Sequence, residues 1–411
     1  MPILKATPWY KEISSEQWKT LFAAQLGWML DAMDVMLYAF ALTTLQKVFQ
    51  MGSDKAGLVA SLTLLASAFG GIGFGVVADK IGRKRALIIT ILIYSLCSAA
   101  TATSGTFLEL MLWRMLLGIG LGGEWSSGAV LVSETWPAEH RGKAIGIMQS
   151  GWALGYIAAA LLSAFILPTY GWRILFLVGV FPAFLTVWIR RAVGESPIWL
   201  DSASKGSNSN LVEIFRGKLA RKTLLAALLT ASVLFAYWGL FTWLPGFLAT
   251  PVEKGGAGMS VVKTATWIIP VQLGAFFGYI SFGFIADRIG RRPAFIAYLV
   301  ASAILVPVYG KTGSNQTLLM ILGPLVGFFG SGYFSLFGVI LSELYPTAVR
   351  ATGQGFTYNT GRAISALAPY TIGWLAISVG VGSALLITSF FFLTGALLIM
   401  LLPETRGEQL K

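Results

Sequence analysis

The chain has 411 residues, of which 56% are hydrophobic and only 12% are charged. An ordinary soluble domain carries roughly 25% charged residues, so water is not the only solvent around this chain. The net charge of +12 would suggest a nucleic-acid partner in a soluble protein, but here the basic residues cluster between apolar stretches. The composition excludes an ordinary soluble domain and predicts a protein of membrane-spanning helices.

Apolar stretches long enough to cross a bilayer, about 20 residues each, follow one another along the chain. Each is predicted to be helical, because lipid requires backbone groups to be bonded within the segment. In the first half they are predicted at residues 19–44, 56–78, 86–103, 107–133, 144–166 and 172–191. In the second half they are predicted at 223–249, 262–286, 293–310, 316–342, 353–376 and 382–401. The predicted fold class is an all-α membrane protein with twelve transmembrane helices in two pseudo-symmetric six-helix bundles.

One long polar segment, which includes KGSNSN at 205–210, separates the two halves and is typical of a loop. The first 20 residues lack the apolar core and small-residue cleavage site of a signal peptide. The predicted organisation is a cytoplasmic amino-terminal segment, a first bundle, a cytoplasmic linker, a second bundle and a cytoplasmic tail, at residues 1–18, 19–191, 192–222, 223–401 and 402–411.

The distribution of lysine and arginine predicts the orientation in the membrane. If the amino terminus is cytoplasmic, most of the 30 basic residues fall in cytoplasmic segments. The outward loops keep only Lys47, Lys55, Arg173, Lys254, Lys263 and Lys311. The positive-inside rule therefore predicts that both termini are cytoplasmic.

The halves repeat each other. The segment GVVADKIGRK at 75–84 recurs as GFIADRIGRR at 283–292, each between the second and third span of its half. Similarly, ETWP at 134–137 is matched by ELYP at 343–346, each after the fourth span. Duplication of a six-helix unit explains both pairs.

The pattern G-x-x-x-D-[RK]-x-G-R-[RK], present in both halves, resembles the signature of the major facilitator superfamily. Arg114 with Gly118, Gly120 and Gly122 resembles the fourth-helix motif of that superfamily. The segments ESP at 195–197 and PETRG at 403–407 are similar to those of its sugar-porter branch. The resemblance covers essentially the whole chain.

Within the superfamily, three further patterns most resemble the sialate and monocarboxylate proton symporters. They are DAMD at 31–34, GGEW at 122–125 with ETWP at 134–137, and YNTGR at 358–362. The aromatic-acid proton symporters are close neighbours, although Ala32 stands where their pattern has glycine. The resemblance implies proton-coupled import of a small organic anion by alternating access, in a bacterial inner membrane and without a cofactor.

Charged side chains inside the bilayer cost several kcal/mol unless they are paired or hydrated, so each is a candidate functional residue. Asp31 and Asp34 lie near the midplane of the first span and share a helix face. They are predicted to couple transport to protons, together with Glu124 and Arg114. The alternatives are structural pairing of the two aspartates, a static salt bridge for Arg114, and a basic loop partner for Glu124.

Arg362 lies well inside the eleventh span and is the predicted receptor for a substrate carboxylate, because a guanidinium binds carboxylates bidentately. The alternative is a structural counter-ion to the buried acids. Other residues predicted to bind substrate are Asn359, Gln149, Trp152, Tyr156, Tyr237, Gln272 and Tyr333. Aromatic residues at helical spacing are also common packing residues.

The charged residues of the repeated motifs lie at the predicted cytoplasmic edge of the membrane. They are predicted to form a conformational latch between transport states, with topology and folding as the alternative role. The latch residues are Asp79, Arg83, Glu134, Asp287, Arg291 and Glu343.

Several other functions lack sequence support. His140 is the only histidine and is predicted to be solvated or to cap a helix, so proton transfer falls to carboxylates. The glycines at 118–123 lie inside an apolar helix with no preceding strand, which argues against dinucleotide binding. Neither a phosphate-binding loop nor a metal-ligand cluster is present, so the chain is not expected to be an ATP-driven pump, a metalloprotein or an enzyme.

The expected partners are the small organic anion, protons and the lipid bilayer, with no nucleic acid. Because one chain contains both halves, it is expected to function as a monomer. The alternative functions are an uncoupled sugar or polyol facilitator, and efflux of a metabolite or drug by proton antiport.

Overall fold

The computed structural model describes residues 9–137, 140–196, 200, 211–313, 315–345 and 349–404. Across these ranges the regular structure is helical, without a strand. Ten helices in the described part are long and apolar enough to cross a membrane. One of them, Lys143–Ile189, contains spans five and six. The divided helix Arg350–Ser365 with Leu367–Val379 has a more polar start and supplies one more span, so the total is the predicted twelve.

The first half contains spans one to six. The first four spans are Ser15–Val48, Ser53–Ile81, Arg83–Thr101 and Phe107–Thr135. The fifth and sixth are joined in the helix Arg141–Leu177, which breaks at Gly171 with φ 79° and ψ 175°. The sixth span continues through a 3-10 turn, Val178–Val180, into Pro182–Ala192.

The second half begins with three continuous spans, and its last three spans are each divided in two. Spans seven to nine are Gly217–Ala249, Val261–Ile289 and Arg291–Thr312. Span ten is Gln316–Gly332 with Phe334–Glu343, span eleven is Arg350–Ser365 with Leu367–Val379, and span twelve is Val381–Ala384 with Leu386–Met400. The dividing residues Tyr333, Ala366 and Leu385 keep right-handed helical dihedral angles, so the chain does not reverse there.

The two bundles pack with the same internal pattern. In the first bundle, span one packs on span five, two on four, and three on six. In the second, seven packs on eleven, eight on ten, and nine on twelve. Between bundles, span five packs on eight and span two on eleven, which are also symmetry-related contacts. The predicted fold class is confirmed.

Each repeated motif turns the chain between two spans and is held there by a carboxylate. Gly82 and Gly290 have φ of 102° and 99°, values that favour glycine. Glu195 Oε1 accepts backbone N–H groups at the start of span three, at 2.9 and 3.2 Å. Glu404 does the same at the start of span nine, at 3.1 and 2.9 Å. The segments after spans six and twelve thus cap the helices that the motifs begin.

The bundles are in close contact at the end opposite to the motifs. Within the second bundle, the Trp243 indole of span seven donates to the Pro369 carbonyl of span eleven at 2.9 Å, and Pro369 lies beside Gly57 of span two. The Tyr370 N–H donates to Ser61 Oγ of span two at 3.0 Å. A side chain at Gly57 would collide with the Pro369 carbonyl, so span two and span eleven can approach this closely only with glycine there.

At the motif end the same spans have more room. Side chains built at Gly73 of span two, Gly146 of span five, Gly283 of span eight and Gly355 of span eleven would meet nothing within 4 Å.

The structure corrects the interpretation of His140. Its side chain is not solvated and makes no capping hydrogen bond; the residue is only 9% exposed. His140 Nε2 lies 3.0 Å from Glu12 Oε2, and the ring packs against Trp9 with centroids 5.9 Å apart. It joins the segment before span one to the connection between spans four and five.

Candidate transport site

Five charged side chains are enclosed among the spans. Asp31, Asp34 and Glu124 have no exposed surface, and Arg114 and Arg362 are 2% and 1% exposed. Among the described residues, no ion pair within 4 Å joins any of these carboxylates to an arginine. The charges instead form two groups, one inside the first bundle and one that crosses between bundles.

The first group surrounds Asp34. Ser98 donates its hydroxyl to Asp34 Oδ1 at 3.0 Å, whereas Asp34 Oδ2 has no hydrogen-bond partner. Arg114 Nη1 donates to the backbone carbonyl of Asp34 at 3.5 Å. The guanidinium also lies 5.1 Å from the Tyr38 ring and 5.8 Å from the Phe176 ring, distances typical of cation–π contacts. Arg114 thus contacts the backbone of Asp34 and not its carboxylate.

The second group brings Asp31 and Glu124 of the first bundle toward Arg362 of the second. Arg362 interacts electrostatically with both carboxylates. Neither carboxylate accepts a hydrogen bond within the described part of the structure, and Arg362 Nε is also unbonded. Gly27 allows this arrangement, because a side chain there would collide with Glu124 Oε1. Two acids and one arginine therefore face each other across the bundle boundary.

Asp31 and Asp34 are three residues apart, but their surroundings differ. Asp34 is enclosed by spans three and four of its own bundle through Ser98 and Arg114. Asp31 instead interacts electrostatically with Glu124 and with Arg362 of the second bundle, and also with Asp34. The two acids therefore have different surroundings but are not independent.

A cavity of about 30 Å³ lies between the bundles beside Arg362. Its first-bundle wall is Trp28, Gln149 and Trp152, and its second-bundle wall includes Tyr237 and Trp238. Four predicted residues, Arg362, Gln149, Trp152 and Tyr237, thus meet at one cavity. A volume of this size corresponds to about one or two water molecules, so a solute can enter only when the walls separate.

The cavity walls are mainly aromatic. The rings of Trp28 and Trp152 have centroids 4.6 Å apart, and Trp152 meets Trp238 edge to face at 5.6 Å. Tyr237 meets Phe334 edge to face at 5.0 Å. The sequence prediction omitted Trp28 and Phe334. Trp28 could have been found, since it precedes Asp31 by three residues and so lies on the same helix face.

Four predicted substrate residues do not line this cavity. The hydroxyls of Tyr156 and Tyr333 donate to backbone carbonyls at 2.8 and 3.4 Å. The Asn359 amide donates within its own helix at 3.0 Å. Gln272 is buried with an unbonded Nε2. Their predicted substrate role stays a prediction, which requires another state of the cavity.

The motif residues form contacts inside each bundle. Arg83 Nη2 lies 3.5 Å from Glu134 Oε1. The backbone N–H of Arg291 donates to Glu404. Three other predicted latch side chains lie outside the described part of the structure: Asp79, Asp287 and Glu343. The latch role stays a prediction.

Comparison with known proteins settles the family. The model of the Major Facilitator Superfamily matches residues 26–269 and again 255–411, and so covers both bundles. The chain belongs to the major facilitator superfamily. It is therefore a multi-pass membrane transporter and not an enzyme, and the resemblance inferred from the repeated motifs is confirmed.

Curated relatives of this superfamily member align along nearly its full length. A probable 4-methylmuconolactone transporter of Cupriavidus pinatubonensis is 36% identical, over 97% of this chain and 93% of the relative. The sialic acid transporter NanX of Escherichia coli is 30% identical, over 96% of each chain. The xylose transporter of E. coli, solved in a partially occluded inward-open conformation, has a TM-score of 0.77 at 20% identity, over 97% of this chain and 100% of that one.

Proposed function

We propose that this superfamily member imports a small organic anion together with protons, by secondary active transport and alternating access. The observation that carries the proposal is the position of Arg362. Its guanidinium is buried at the cavity between the bundles and faces Asp31 and Glu124 without a close ion pair. A guanidinium presents paired N–H donors that match a carboxylate, so a solute carboxylate fits this position.

The solute class follows from the walls and from the relatives. 4-Methylmuconolactone and sialic acid, the solutes named for two relatives, each combine a carboxyl group with a small ring. The rings of Trp28, Trp152, Trp238 and Phe334 line the cavity beside Arg362, and aromatic faces pack well against a planar or apolar ring. We therefore propose a ring-bearing monocarboxylate as the substrate.

Protons enter the proposal through the buried carboxyl groups. His140, the one histidine, lies near Glu12 and not at the cavity. Asp34 has one oxygen bonded by Ser98 and one free, so it can hold a proton without losing its hydrogen bond. Arg114, which touches the Asp34 backbone, would respond to the change of charge. Asp31 and Glu124 would compete with the solute for Arg362.

Alternating access fits the contacts between the bundles. With the basic loops on the cytoplasmic side, the end where Gly57 and Ser61 of span two contact span eleven would face outward, and the motif end would face the cytoplasm. The bundles would rock about the cavity, and the motif residues would act as the latch. One chain supplies both bundles, which supports transport by a monomer in a bacterial inner membrane.

The test is uptake of labelled ring monocarboxylates into proteoliposomes under an outside-acid pH gradient. Removing one member of a buried charge pair costs about 2–5 kcal/mol, so Arg362→Gln should reduce uptake roughly 30-fold or more. Arg173→Gln, at an exposed arginine outside the cavity, is the matched control and should transport normally. Uptake of a neutral sugar without acids, or full activity in Arg362→Gln, would refute the proposal.

A further inference from the structure

Two indole N–H groups at the cavity have no hydrogen-bond partner. They belong to Trp28 of span one and Trp152 of span five, which are 6% and 3% exposed. Within the described residues, the Nε1 atoms of both are buried and unbonded, and both rings line the cavity that Arg362 borders. An indole N–H can only donate, so each of these groups needs an acceptor that no described contact supplies.

Unbonded buried donors are uncommon, because each costs the free energy of its lost hydration. The rings of the two tryptophans have centroids 4.6 Å apart. The two unbonded N–H groups therefore belong to neighbouring side chains in one small region of the first-bundle wall. Arg362 Nε is the other unbonded donor at this cavity, and it belongs to the second bundle. The cavity thus has donors without acceptors on both of its walls.

We propose that Trp28 and Trp152 form a second polar subsite, which selects monocarboxylates whose ring carries a hydrogen-bond acceptor. The inference rests on the proposed binding of the carboxylate by Arg362. A carboxylate held bidentately by Arg362 lies at the second-bundle wall, whereas the two indoles belong to the first-bundle wall. The first-bundle indoles are then satisfied by a different atom of the solute, such as a ring nitrogen or a lactone oxygen.

Such a solute would join the two bundles, with its carboxylate on Arg362 and its acceptor on Trp28 or Trp152. A ring acid without the acceptor would leave the indoles unbonded in the closed cavity. A site built to bond a polar atom discriminates strongly against an analogue that lacks it.

The experiment compares benzoate with the three pyridine monocarboxylates, which have nearly the same shape and differ by a ring nitrogen. Uptake is measured in proteoliposomes under a pH gradient, and the result is the ratio of initial rates at equal low concentration. Wild type should prefer at least one pyridine monocarboxylate over benzoate by roughly ten-fold or more. Trp28→Phe or Trp152→Phe should bring that ratio close to one.

Phe334→Leu is the matched control, because it changes side-chain volume at the same cavity and Phe334 carries no hydrogen-bond donor. It should change the uptake of all four acids by a similar factor and leave the ratio unchanged. A purely structural role for Trp28 and Trp152 would also leave the ratio unchanged.

The outcomes separate this subsite from the proposed function. Equal uptake of all four acids by wild type, or an unchanged ratio in both tryptophan variants, overturns the subsite and leaves the anion transporter standing. Equal losses for benzoate and the pyridine acids mean that the indoles bind the carboxylate itself, which also overturns it. Failure to take up any monocarboxylate overturns both proposals.

Discussion

Replacing the pH gradient by a membrane potential tests how many protons accompany each anion. Asp31, Asp34, Glu124, Arg114 and Arg362 are all at most 2% exposed. An uncompensated buried charge costs several kcal/mol, so the loaded and the empty carrier should cross the bilayer with the same net charge. A monoanion adds one negative charge, and one proton cancels it. We therefore expect electroneutral transport of one proton per anion.

The expected accumulation ratios distinguish transport with one proton per anion from transport with two. One pH unit is worth about 1.4 kcal/mol per proton, which is a tenfold concentration ratio. One proton per anion thus gives roughly tenfold accumulation for each pH unit, and two protons give roughly a hundredfold. Two protons would also move one net positive charge, which 100 mV favours by about 2.3 kcal/mol, or roughly fifty-fold.

The assay is steady-state accumulation of the best transported monocarboxylate in proteoliposomes, with the pH gradient and a potassium diffusion potential imposed separately. Arg362→Gln proteoliposomes report passive entry of the neutral acid, which is subtracted. Accumulation should rise with the imposed pH gradient and should not change with the imposed membrane potential. A several-fold change on imposing 100 mV, inside negative, would refute the charge-balance reasoning.

Two further predictions concern the bundle contacts and the helix caps. Gly57→Ala should force span two away from Pro369 and increase hydrogen–deuterium exchange at that end of the span, whereas Gly73→Ala, which has open space, should not. Glu404→Gln removes the charge that caps span nine and should cost about 1 kcal/mol, seen as a melting temperature lower by a few degrees. Glu195→Gln should lower it similarly, and an unchanged value in both would contradict the capping role.

Hydropathy predicted where the spans lie, but not where their helices end. The first span was expected at 19–44 and is Ser15–Val48. Ser14 and Gln17 form a capping box there, with bonds of 2.8 and 3.2 Å, which extends the helix by a polar turn. Polar helical turns outside the lipid carry no hydropathy signal. The division at Tyr333 also lacked a signal, whereas Pro369, which cannot bond to the Ser365 carbonyl, marks the division at Ala366.

The charged residues of the site could be predicted from the sequence, because a charge buried in a bilayer is energetically unfavourable and needs a functional or structural reason. Asp31, Asp34, Glu124 and Arg362 were selected because charges inside a bilayer need a reason, and all four are buried together with Arg114. Which of them face each other depends on how spans from different bundles pack, and a single sequence does not encode those distances in any local pattern. For the same reason Tyr156 was expected at the cavity but bonds to span seven.

Asp34→Asn should separate proton coupling from solute binding. The amide oxygen can still accept the Ser98 hydroxyl, which now lies 3.0 Å from Asp34 Oδ1, so the local structure is retained. Arg362 and the aromatic walls are untouched, so solute binding should persist. What is lost is the capacity of this position to take up and release a proton.

The loaded carrier can then still exchange solute across the membrane, whereas net accumulation should fail. We expect Asp34→Asn to exchange labelled for unlabelled monocarboxylate at a rate within a few-fold of wild type, with accumulation at an imposed pH gradient reduced to the passive level. Ser98→Ala is the control, because it removes the hydrogen bond but keeps the carboxyl group, and it should retain accumulation. If Asp34→Asn still accumulates solute in proportion to the pH gradient, the transported proton is carried by Asp31 or Glu124, and Asp34 with Arg114 is a structural contact of the first bundle.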